Sequence, residues 1–234
     1  MITLYPAENR FTADHGWLLS KFSFSFAEYY DPQNMSFGPM RVLNDDIVQP
    51  HRGFGAHPHH EMEIVSIVLS GQLKHTDSAG HAFTTSFGGV QRMSAGTGIV
   101  HSEVNPSESE DVNFLQMWFE PDQHGLSPSY EQTSFSPEEM KNNLLPVVSK
   151  AYQAEQIAHI HQDLTIFLSD LEAGKEIEFT QNEGRKIFAF VIEGNLRLND
   201  SMLLNRRDSV RISNMSSLKL TTDSGARLML IDLP

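Results

Sequence analysis

Two short segments carry the side chains best suited to chemistry: His57-Pro58-His59 within residues 53–63, and His101-Ser102-Glu103 within residues 95–105. Side chains alternate between the two faces of a strand. His57 and His59 therefore share a face, with Pro58 on the other, and His101 and Glu103 do the same on a second strand. If those strands are neighbours in a small barrel, four polar donors converge on an interior that ordinarily holds apolar groups. A divalent cation is their natural partner. A lone His-x-His is more often structural or solvated, and a lone His-x-Glu is weaker still, but here one of each flanks about 40 residues of hairpin-like sequence bounded by Gly-rich turns. The chain has no cysteine, which excludes disulfides, thiolate ligands and a cysteine nucleophile. Any metal must rest on His, Asp and Glu. Pro58 marks an edge, a bulge or a strand start, which suits the mouth of a barrel.

Other candidates invite plainer readings. His159-Ile160-His161 precedes a strand of the C-terminal half with no His-Ser-Glu-like segment after it. A structural role is expected for it, and the C-terminal half is expected to be free of metal. His60 follows the first pair with the opposite pleat, so solvent exposure is expected. His75 precedes a turn and reads equally as a satisfied core histidine or as a group orienting a ligand. Phe22, Phe24 and Phe26 alternate with polar residues, as core-facing strand positions do, and one or two suit the wall of a pocket.

The elements that must position these residues are short. Apolar runs separated by Gly, Asn, Asp and Pro predict strands at 41–48, 63–69, 72–76, 90–93, 99–104 and 113–119. A second set falls at 164–168, 176–179, 186–192, 196–198, 209–212, 218–222 and 227–231. Ser70-Gly71 and Asp77-Ser78-Ala79-Gly80 supply turns between them. Residues 121–130 read as a linker. One helix is predicted at 136–143, with Ser136 as N-cap, Pro137 as first residue and Glu139 closing a capping box. Residues 64–73 and 187–196 resemble one another, each an apolar run, a polar-Gly turn and a new strand. The expected architecture is all-β, with domains at 1–130 and 131–234 and a boundary between 121 and 150.

The 234 residues are 39% hydrophobic and 20% charged, as in a folded globular chain, and carry a net charge of −13. That balance argues against direct nucleic acid binding and against anionic lipid. The N-terminus lacks a basic start followed by an apolar core, and no run reaches the roughly 18 apolar residues of a membrane span. A cytoplasmic location is expected.

The paired segments resemble the two motifs of the cupin superfamily, and their wording resembles the pirin family. The likeness rests on His57-Pro58-His59 followed by Glu63-Ile64-Val65, on His75-x-Asp77-Ser78-x-Gly80, on Gln91-x-Met93-x-Ala95-Gly96-x-Gly98-Ile99 and on His101-Ser102-Glu103-x-Asn105. It extends to His15-Gly16-Trp17-Leu18, Phe24-Ser25-Phe26-Ala27, Tyr30-Asp31-Pro32, residues 41–46 and Gly53-Phe54-Gly55, and more weakly to the ending Leu230-Ile231-Asp232-Leu233-Pro234. The resemblance implies a bicupin of two jelly-roll-like double-stranded β-helix barrels, with one divalent transition metal on His57, His59, His101 and Glu103. Iron is its first choice, with Mn, Co, Ni, Cu or Zn as alternatives. It places Glu61 and Glu63 outside the ligand set. Asn44-Asp45-Asp46 is open to a reading as an acidic cluster at a site, but under the resemblance it is expected to end a strand by side-chain to backbone bonding. The likeness is nearest to bacterial pirin-like quercetinases, which implies a quercetin 2,3-dioxygenase that opens the flavonol central ring with dioxygen and releases carbon monoxide. Glu103 would then also be catalytic, accepting the flavonol 3-hydroxyl proton. The implied partners are a flavonol-like substrate and dioxygen, with the chain a monomer. The alternatives are a metal-bound regulator that docks on protein partners, or a cupin isomerase.

Overall fold

A computed structural model describes residues 1–234. The chain forms two compact units. One comprises residues 11–134 and 158–162; the other comprises residues 1–10, 135–157 and 163–234. Both are built of strands, as the patterning predicts, and in each a long sheet is joined through apolar contacts to a four-stranded one. Neither closes into a hydrogen-bonded barrel; the layout is jelly-roll-like.

In the first unit the long sheet is ordered Ser129–Ser134, Gly89–Ser94, Glu63–Ser70, Val112–Phe119, Met40–Val48, Leu18–Phe22, Phe11–Asp14. The short sheet is ordered Gly53–His59, Ile99–Val104, Gln72–Asp77, Ala82–Ser86. Leu18, Val48, Val68, Val112 and Phe114 of the long sheet pack on Leu73 of the short one, with Trp17 and Phe54 against them. In the second unit an apolar cluster lies between the two sheets. Leu196, Leu198, Leu204, Leu218 and Leu220 of its short sheet meet Ile187, Ala189, Val210, Leu228 and Leu230 of its long one. Its strand Ile2–Tyr5 pairs with Ser209–Ser213, which ties the first residues of the chain to this unit.

The internal repeat has a structural counterpart. Glu63–Ser70 and Lys186–Gly194 each run through a long sheet and pass at a glycine into a strand of the short sheet. Gly71 and Gly194 have φ of 74° and 77°. A Cβ on either would strike a backbone carbonyl, that of Asp111 or that of Gly225. Both the left-handed backbone and the close approach call for glycine.

Three local expectations fail. The helix at 136–143 is one 3-10 turn, Pro137–Met140. Its capping contact forms, with the Glu139 carboxylate accepting the Ser136 N–H at 3.2 Å. Propagation stops because Lys141 is extended and Asn142 takes φ 52° to donate its N–H to the Asp170 carbonyl. The linker at 121–130 ends two residues early, since Ser129–Ser134 pairs with Gly89–Ser94. Asn44-Asp45-Asp46 does not end a strand but lies in the middle of Met40–Val48. Both neighbouring strands satisfy its backbone, so local side-chain bonding has nothing to compete for.

Candidate metal centre

Gly53–His59 and Ile99–Val104 are antiparallel neighbours, with His57 opposite His101 and His59 opposite Ile99. A bulge between His101 and Glu103 shifts the register so that Glu103 faces Phe54. Such bulges re-aim side chains. On its other edge Ile99–Val104 pairs with Gln72–Asp77, setting His101 opposite Asp77 and Glu103 opposite His75. Leu73, His75 and Asp77 alternate inward along that strand, as Ile99, His101 and Glu103 do along theirs. Gly53 lies so close to the backbone of Glu103 and Val104 that a Cβ there would overlap both.

The structure brings His57, His59 and His101 together, their ligand atoms within 4.8 Å of one another. Glu103 falls in an adjoining group with His75 and His101. The hydrogen bonds fix which nitrogens are free. Asp77 Oδ1 accepts the backbone N–H groups of Ala79 and His81 at 2.9 and 3.1 Å. Its Oδ2 lies 2.9 Å from His75 Nε2 and 3.0 Å from His81 Nδ1. Burial works to raise the Asp77 carboxyl, but the bonds from His75 and His81 prevail and hold it below the usual carboxylate range. An ionised Asp77 requires His75 to donate from Nε2, which leaves His75 Nδ1 as an acceptor. His101 Nδ1, 3.3 Å away, is then its donor. His57 Nδ1 donates to the Gly55 carbonyl at 2.7 Å. Both remaining nitrogens, His57 Nε2 and His101 Nε2, are bare acceptors that face each other at 3.1 Å.

Two lone pairs at that distance repel unless a cation lies between them. Two imidazole nitrogens bound at right angles to one ion, each about 2.1 Å from it, would stand about 3.0 Å apart. His59 Nε2 is buried without a partner, and its ring lies 4.8 Å from the rings of His57 and of His101. Burial first, then the neighbouring imidazoles, hold His101 down at about 2 and His59 at about 4. His59 and His101 are thus neutral near pH 7, the form that ligates metal. The donor set fits a divalent transition ion. Glu103 is buried, its Oε2 accepting Gln116 Nε2 at 2.6 Å and its Oε1 accepting Ser66 Oγ at 3.2 Å. Burial raises its pKa, against the pull of the Gln116 bond.

Beside His57 and Glu103 lies a cavity of about 490 Å³. Trp17, Phe22, Phe26, Phe54 and Trp118 wall it. Phe26 meets Trp118 edge-on at 5.3 Å, and Trp118 meets His59 edge-on at 4.8 Å. Phe22 and Phe26 therefore serve a pocket, whereas Phe24 is buried, 1% exposed. Ser20, Asn44, Asp46 and Gln116 also line the cavity. Reading the sequence missed Ser20 and Gln116, and for Asn44 and Asp46 it preferred a strand end to a site. The available signal was phase: Asn44 and Asp46 fall on the same face as the core residues Val42 and Val48.

Glu63 and Glu61 lie outside the imidazole cluster. Glu63 is buried against Ser94 Oγ at 3.0 Å and His161 Nδ1 at 3.2 Å, which gives His161 a structural task. Glu61 receives the Gly125 N–H at 2.9 Å. His60 is exposed.

Residues 6–119 match the Pirin family model, and residues 147–233 match the model of the quercetinase C-terminal cupin domain. The chain is 37% identical over 234 residues to quercetin 2,3-dioxygenase of Escherichia coli (strain K12), covering 100% of this chain and 99% of that protein. The chain belongs to the pirin family. It is also 35% identical over 232 residues to a pirin-like protein of Caulobacter vibrioides, covering 99% of each. A crystal structure of the Escherichia coli bacterial pirin YhhW in complex with nickel(II) superposes with a TM-score of 0.94 at 36% identity, covering 100% of this chain and 99% of that one. No helix of this pirin is long and apolar enough to cross a membrane.

Proposed function

We propose that this pirin is a metal-dependent flavonol 2,3-dioxygenase, with His57, His59, His101 and Glu103 as ligands of one divalent ion, iron first among the candidates. The observation that carries the reading is an aromatic-walled cavity that opens beside the paired bare nitrogens and the buried carboxyl of Glu103. When bound, the ion supplies Lewis acidity that favours the deprotonated flavonol and a meeting point for it and dioxygen.

The chain's own residues do the rest. Trp17, Phe54 and Trp118 hold the flat rings and exclude water. Gln116 and Ser66 fix the rotamer of Glu103, whose raised pKa suits it to accept the 3-hydroxyl proton near neutral pH. Trp118 Nε1 donates to Gln116 Oε1 at 3.1 Å, so the pocket wall also braces that orientation.

The test is anaerobic loading with Fe, Mn, Co, Ni, Cu and Zn separately, followed by quercetin turnover in an oxygen electrode. Oxygen uptake with carbon monoxide release, both abolished in His101→Ala, is the expected result. One bound equivalent of metal without oxygen uptake in any preparation would overturn the dioxygenase reading and favour a regulatory or isomerase role.

A further inference from the structure

The cavity has a polar end that the chemistry above does not use. Strand register sets Ser20 opposite Asp46 and Phe22 opposite Asn44, while Gln116 faces Asn44 from the other side. Gln116 is engaged by Glu103 and Trp118. Asn44 is not engaged: its side chain is 4% exposed, lines the cavity, and its amide oxygen has no partner in the protein. Asp46, 2% exposed, accepts the Ser20 hydroxyl through Oδ1. Buried polar groups left unpaired disfavour the empty state, and a ligand that pairs them gains selectivity over one that does not.

We infer that Asn44 and Asp46 form a hydroxyl-reading subsite, which selects flat aromatic ligands carrying a second hydroxyl group beyond the one directed to Glu103. The inference rests on the flavonol reading and deepens it to polyhydroxylated flavonols. Asn44 accepts a hydrogen bond from the ligand hydroxyl through its amide oxygen. Asp46, steadied by Ser20, offers the adjoining oxygen. Gln116, already spent on Glu103, separates this reading function from the reacting centre.

The test is anaerobic binding to the metal-loaded protein, followed by quenching of Trp17 and Trp118 fluorescence. The probes are 3-hydroxyflavone and 3,5,7-trihydroxyflavone. The wild type is expected to prefer the trihydroxy compound by about tenfold or more. Asn44→Leu and Asp46→Leu are expected to lose most of that preference while binding 3-hydroxyflavone at least as well. Asp46→Asn, which keeps an acceptor at the same place, is expected to retain it. Thermal unfolding identifies any variant that fails to fold, and Ser20→Ala, which releases Asp46 without touching its carboxyl, then reads the same preference. If both flavonols bind but the preference survives in the leucine variants, the subsite is overturned and the flavonol reading stands. If neither flavonol binds the wild type, both are overturned.

Discussion

His57 Nε2 and His101 Nε2 face each other at 3.1 Å, and each is stripped of its hydrogen by the bond its other ring nitrogen makes. The arrangement is electrostatically unfavourable until positive charge enters between the rings. One metal equivalent is therefore expected. His57→Ala or His101→Ala should lower affinity by at least about a hundredfold, measured by competition with a chelator. Undiminished affinity in both variants would remove the site.

The protonation states make a second measurement possible. His59 at about 4 and His101 at about 2 carry no proton to lose at pH 7. Burial raises the Glu103 carboxyl, so calorimetric titration with metal in buffers of different ionisation enthalpy should detect a proton released by Glu103. Glu103→Gln should abolish that release. Proton release undiminished in Glu103→Gln would contradict this assignment.

Asp77 acts on the metal through two intermediaries. It accepts from His75, which in turn fixes His101 with Nε2 bare. Asp77→Asn is expected to weaken metal affinity about 10- to 100-fold with little change in fold. His81→Ala, which removes a partly exposed donor to the same carboxylate, should have a smaller effect. Equal affinity in Asp77→Asn and the wild type would count against this chain of bonds.

Stability should depend on pH through Asp46. Burial, opposed by the Ser20 hydrogen bond and aided by Asp45 and Glu103, raises its carboxyl from 3.8 to about 7. The folded state keeps a proton that the unfolded chain gives up, so stability falls as pH rises from about 4 to about 7 and the loss is complete above that. Metal-free Asp46→Asn should therefore exceed the wild type at pH 8 by something on the order of 3 kcal/mol. The two should converge near pH 3.5. Urea unfolding at both pH values measures this, and a variant no more stable at pH 8 contradicts it.

Much of the fold was legible because strand periodicity is written in single residues. Ile99–Val104 and Leu196–Leu198 were predicted to the residue, and most other strands to within one or two. Leu145–Ser149 and Met202–Leu204 escaped despite their apolar residues, and two further strands escaped because they have no apolar face of their own. Ala82–Ser86 is Ala-Phe-Thr-Thr-Ser, and Ser129–Ser134 is Ser-Tyr-Glu-Gln-Thr-Ser. Their pairing comes from neighbours distant in sequence, which no local window contains. At the site, the imidazoles were readable because His-x-His is rare and periodic. Asn44 and Asp46 were not, because a polar triplet reads locally as a strand end. Only the register with Leu18–Phe22 and Val112–Phe119 reveals that those side chains are enclosed.

The pairing of Ile2–Tyr5 with Ser209–Ser213 bears on how the molecule is made. At a synthesis rate of about 5–20 residues per second, the opening strand would wait on the order of 10 to 40 seconds for its partner to leave the ribosome. The strands within residues 11–134 pair with one another and need nothing from residues 209–213, while Thr3 and Leu4 keep unmatched backbone groups until that partner arrives. A bulky fusion before Met1 would sit against the last structure to form rather than the first, and would be felt as slow or incomplete closure of the C-terminal unit.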